Sequence, residues 1–138
     1  MAKAGSGPNA DDRPLSPHLQ IYSPLINMVM SILHRITGAA LYFGTIILVA
    51  WLVAAATGRG NYDMVTGLMQ TIPGLVVMGG YTWALVHHAL GGIRHLIWDT
   101  GRGFAIGIVN TMSWLSILCS LAITGGIWFY ILKLRGLL

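Results

Sequence analysis

Three long stretches without a single charged residue constrain this chain more than any other feature. They are the 23 residues between Arg35 and Arg59, the 30 between Asp63 and Arg94, and the 30 between Arg102 and Lys133. A bilayer-crossing helix needs about 20 mostly apolar residues, so each stretch is long enough for one. Hydrocarbon offers the backbone no hydrogen-bond partners, so each span must satisfy its own, as a helix does. Barrel-type alternation is absent. Composition agrees: charged residues make up 9% of the chain and hydrophobic ones 55%, whereas soluble domains carry about 25% charged residues. The chain is too apolar for disorder, and its cations are too scattered for nucleic-acid binding. Its lone Cys119 excludes a disulfide framework and a cysteine-based metal cluster within the chain.

The sequence therefore predicts an all-α integral membrane protein with three transmembrane helices, near Asn27–Ala56, Pro73–Trp98 and Phe104–Leu132. Residues 1–26 form an N-terminal cytoplasmic segment and residues 27–138 the membrane domain. Thr57–Asp63 and Thr100–Gly103 read as turns, being rich in glycine and polar residues. Pro73 suits a first helical turn. The N-terminal stretch lacks a secretory h-region, and Asp11 and Asp12 argue against a mitochondrial presequence. Lys3, Arg13, Arg35, Arg94 and Arg102 fall on one side, and Arg59, Lys133 and Arg135 on the other. The excess of cations puts the N-terminus in the cytoplasm.

Ionisable residues inside a membrane are costly and mark functional sites. One cluster is Ser31-Ile32-Leu33-His34-Arg35. Spacings of three and four put Ser31, His34 and Arg35 on one helical face. An arginine fork beside a hydroxyl can bind a carboxylate, a phosphate or a quinone carbonyl; the plainer alternative is an Arg35 that snorkels to headgroups. The other cluster runs from His87 to His95. His88 and His95 are seven apart and share a face, while His87 points about 100° away and can hydrogen-bond a neighbouring helix. Gly80, Ala84, His88 and Gly92 form a stripe at spacing four. Helix packing explains small residues there but not an imidazole. His88 stands about 16 Å from Asp99 along the helix axis, near mid-membrane, where haem iron is a strong partner for it. Arg35 and His95 lie at similar depth and together suit its propionates. Ser116, Ser120 and Thr124 read as a packing stripe, and Cys119 as inert.

With these residues assembled, the chain resembles the cytochrome b large membrane-anchor subunits of succinate dehydrogenase, respiratory complex II. Three pieces carry the resemblance: Arg13-Pro14-Leu15-Ser16-Pro17-His18-Leu19, Ser31-Ile32-Leu33-His34-Arg35-Ile36-Thr37-Gly38, and His88-x-x-x-Gly92-Ile93-Arg94-His95-Leu96 with Asp99. The resemblance implies haem b with His88 as axial iron ligand, and His34, Arg35 and His95 around its propionates. It also implies a ubiquinone site at Ser31 and Arg35. The implied partners are a flavoprotein subunit that oxidises succinate, an iron–sulfur subunit, a second small anchor subunit sharing the haem, and membrane lipid. Arg13-Pro14 would contact the soluble subunits. The Pro-Leu-Ser-Pro-His form and the missing presequence point to a bacterial inner membrane. A quinol:fumarate reductase anchor and a cofactor-free assembly subunit are the alternatives.

Overall fold

A computed structural model describes residues 23–137. The Arg13-Pro14 motif and most of the N-terminal segment lie outside the described residues. Four helices follow one another: α1 (Ile26–Thr57), α2 (Arg59–Met69), α3 (Ile72–Asp99) and α4 (Ile106–Leu134). The three long ones correspond to the three uncharged stretches. Of these, α1 and α4 are long and apolar enough to cross a membrane by length and composition. α3 has the length, at 28 residues, but His87, His88 and Arg94 dilute its apolar character.

The expectation of a turn over Thr57–Asp63 is corrected. Only Gly58 interrupts the helices, at φ +128°, a conformation in which a Cβ is strained. From Arg59 the chain is helical again. Arg59 and Asp63, four apart, form an ion pair with a 3.7 Å separation on its exposed face. The other face, with Tyr62, Thr66 and Met69, closes an apolar cavity of about 340 Å³ against Gly44, Trp51 and Tyr81. α3 starts as its sequence requires: the Thr71 hydroxyl accepts from the Gly74 amide and Pro73 occupies the first turn. The turn before α4 is as expected, with Gly101 at φ +76° and Gly103 at φ +82°.

α3 packs on α1 and on α4, which also touch each other, while α2 lies against α1 and α3. The burial pattern is inverted relative to a water-soluble protein. Thr37, His87, Arg94, Ser113, Ser116 and Ser120 are buried, whereas Ile32, Phe43, Ile46, Leu96, Leu118 and Phe129 are exposed. The buried stripe of α3 is Ala84, His87, Gly91 and Arg94. The sequence-based stripe lies on a different face: a Cβ added at Gly80 or Gly92 would meet nothing within 4 Å, so its glycines leave the His88 side of α3 open and do not pack on α1 or α4.

Candidate functional site

α3 carries two polar tracks, each built from residues seven apart. The first is His88 and His95. The His34 ring of α1 stacks on His88 with centroids 4.0 Å apart and planes 6° from parallel, and is tilted against His95 at 5.1 Å. Gly91 makes this contact possible, since a Cβ there would run into the His34 ring. Gly38 does the same for His88, whose Cε1 would stand 3.0 Å from an added Cβ. Among the described residues no three His, Cys, Asp or Glu side chains converge as a metal site. The three imidazoles lie beside one another instead.

The tautomer of His88 follows from its neighbours. Its Nδ1 is 3.1 Å from the His34 carbonyl oxygen, which can only accept, so Nδ1 carries the proton and donates. The Thr37 hydroxyl, 3.4 Å away, spends its own proton on the Leu33 or His34 carbonyl at 2.8 and 3.0 Å. Nε2 is left with its lone pair. A ring nitrogen hydrogen-bonded to a carbonyl with the other free is the arrangement that metal-ligating histidines adopt. The donor set therefore fits a haem iron at His88 Nε2.

Ser31 and Arg35 face outward and are exposed. This refines the one-face expectation: α1 turns His34 inward to α3, while Ser31 lines an open surface depression with Asn27, Met28 and Ile32.

The second track of α3 is His87 and Arg94, which face α4. His87 is 1% exposed, with Nδ1 3.1 Å from the Ser120 hydroxyl, as the expected bond to a neighbouring helix requires. Its ring also stacks on Trp83. The Arg94 role was not foreseen. Arg94 is 4% exposed; its guanidinium donates to Ser113 Oγ at 3.2 Å and lies 5.0 Å from the Trp98 ring centroid. Ser113 in turn bonds Asn27 of α1 at 2.9 Å. Arg94 therefore leaves the tally of flanking cations that set orientation. A charged residue within an apolar stretch was the available signal; only packing shows which way it turns.

Comparison with known proteins agrees with this architecture. The family profile "Succinate dehydrogenase/Fumarate reductase transmembrane subunit" matches residues 9–128. The succinate dehydrogenase cytochrome b556 subunit of Rickettsia prowazekii is 41% identical over 116 residues, 84% of this chain and 90% of that protein. Its counterpart in Paracoccus denitrificans is 42% identical over 98 residues, 71% and 75% of the two chains. The mitochondrial succinate dehydrogenase cytochrome b560 subunit of Sus scrofa is 39% identical over 100 residues, covering 69% of this chain and 57% of that one. The chain belongs to the succinate dehydrogenase/fumarate reductase transmembrane subunit family, among the succinate dehydrogenase cytochrome b subunits.

Proposed function

We propose that this chain holds haem b through His88 Nε2 and half of a ubiquinone site through Ser31 and Arg35, as one of two membrane anchors of a succinate dehydrogenase. The observation that carries this reading is the His88 tautomer, with Nδ1 donating to the His34 carbonyl and Nε2 free for iron. When bound, haem b supplies a one-electron store beside the quinone. His34, stacked on His88, and His95, tilted against His34, would hold its propionates together with Arg35. A second ligand for its iron would be supplied by the other small anchor subunit.

Succinate oxidation belongs to a partner flavoprotein, and an iron–sulfur subunit passes its electrons to the quinone. Ser31 donates to a quinone carbonyl oxygen. Arg35 stabilises the negative charge that develops on that oxygen as electrons arrive, an electrostatic role worth most where water is scarce. Both side chains are exposed, so partner subunits complete the pocket. α1, α3 and α4 each cross a bacterial inner membrane, residues 1–26 lie in the cytoplasm, and residues 27–138 form the anchor. The succinate direction is preferred over fumarate reduction because the relatives are succinate dehydrogenase subunits.

The test is a reduced-minus-oxidised spectrum of the assembled complex beside that of this chain expressed alone. The complex is expected to show a low-spin b-type band and the isolated chain to hold haem poorly. Stoichiometric low-spin haem in the isolated chain would remove the shared-ligand reading, and no band in the complex would remove haem altogether.

A further inference from the structure

The buried cation Arg94 has no carboxylate partner among the described residues. Asp63 pairs with Arg59 at the far end of the bundle, and Asp99 makes no ion pair. A guanidinium held inside an apolar bundle is expensive. Its hydrogen bonds run in one direction. Arg94 Nη1 donates to Ser113 Oγ at 3.2 Å. Ser113, fully buried, donates to Asn27 Oδ1 at 2.9 Å, sharing its proton with the Val109 carbonyl at 2.7 Å. With Oδ1 engaged, the remaining function of the Asn27 side chain is its Nδ2 amide, which carries two protons. Bonds linked in one sense polarise one another, so the charge on Arg94 strengthens Nδ2 as a donor.

Asn27 stands one turn before Ser31, and both line the open depression of about 380 Å³ on α1, with Met28 and Ile32 as its other walls. The opposite oxygens of a quinone ring are separated by roughly one helical turn, about 5.4 Å. We infer that Asn27 is a further quinone-binding residue, its Nδ2 donating to a ring oxygen beside the Ser31 hydroxyl, and that Ser113 and Arg94 are positioning residues that orient and polarise it. This inference rests on the assignment of the quinone to Ser31.

The test uses the whole complex in membranes, a short-chain ubiquinone as acceptor, and dye-linked succinate oxidation as the measure of the soluble subunits. Asn27→Asp keeps Oδ1 on Ser113 and removes the Nδ2 donor. It is expected to raise the KM for the quinone about tenfold, the effect of one lost hydrogen bond in a desolvated site, with dye-linked activity unchanged. Ser113→Ala is expected to raise KM about threefold and to add nothing in the Asn27→Asp background, which a merely structural role would not produce. Ser31→Ala is the control for the site itself. A raised KM in Ser31→Ala with an unchanged KM in Asn27→Asp overturns this inference and leaves the quinone site standing. Unchanged KM in both overturns the site and the inference with it. All values are taken per assembled complex, counted by bound flavin, and Asn27→Ala serves as the second variant with the same expected rise and the same overturning result.

Discussion

The His34 ring of α1 fills the space over Gly91 of α3 that any side chain at residue 91 would claim. Two helices thus meet at an imidazole and a missing Cβ, one turn of α3 away from the His88 ring on which His34 stacks. Gly91→Ala is expected to push His34 off His88 and lower the haem-to-flavin ratio of the assembled complex, with a shifted b-type band. Gly125→Ala in α4, where an added Cβ also meets nothing within 4 Å, is expected to leave both unchanged. Equal effects from the two substitutions would show helix propensity, not the His34 contact, to be responsible.

The adjacent histidines should separate cleanly. His88→Ala removes the lone pair assigned to iron and is expected to abolish the native low-spin spectrum. His87→Ala is expected to retain that spectrum, because its ring is sealed against α4. Loss of its bond to Ser120 and of its buried volume should instead destabilise the bundle by about 1–3 kcal/mol, read as a lower unfolding temperature in detergent. Reversed spectra in the two variants would show that the wrong imidazole has been assigned.

Arg35 is exposed on α1, so its removal leaves the fold of this chain intact. If it stabilises developing negative charge as one oxyanion donor does, its loss costs about 2.7–4 kcal/mol, roughly 100- to 1000-fold in rate. Arg35→Ala is expected to lose most quinone reduction and keep dye-linked succinate oxidation, with Ser31→Ala milder in the same direction. The measurement is the ratio of the two activities per assembled complex. An unchanged ratio would return Arg35 to a headgroup anchor.

Arg94 stands six residues beyond His88 on the same helix, about 9 Å along the axis. An uncompensated positive charge at that range favours the reduced, more negative haem by about 1–2 kcal/mol at an effective dielectric constant near 20. Arg94→Leu is therefore expected to lower the haem midpoint potential by about 60 mV, the equivalent of a tenfold shift for one electron, while Arg94→Lys lowers it less. A redox titration followed at the b-type band provides the measurement. Equal potentials in the leucine and wild-type proteins would show the charge to be compensated.

Much of this architecture was legible in the residues. Hydrocarbon disfavours charge, so each interval between charged side chains holds most of one long helix, although Arg35 lies within α1, Arg94 within α3, and the middle interval also takes in part of α2. Helical spacing joins His88 to His95 and sets His87 apart. α2 escaped notice because Gly58, Gly60 and Asn61 look like a turn, while the features that make it a helix are the Arg59–Asp63 pair and the Tyr62–Thr66–Met69 face. The inward turn of His34 was also hidden. Spacing gives a residue its place on the helix, but only the neighbour across the interface, here Gly91, decides which edge of a face is buried. Arg94, Ser113 and Asn27 come from three helices and become one chain of hydrogen bonds only after those helices have docked.

The inverted burial pattern bears on how the chain reaches its native state. Its large apolar side chains face outward, and lipid tails solvate them as well as another helix would. Hydrophobic burial therefore gives little reason for one inserted helix to choose another. The selection falls to close approach and to a few polar links: His34 on Gly91, His87 with Ser120, and Arg94 through Ser113 to Asn27. The polar groups of α3, which dilute its apolar character, are thus also the groups that fix it against α1 and α4.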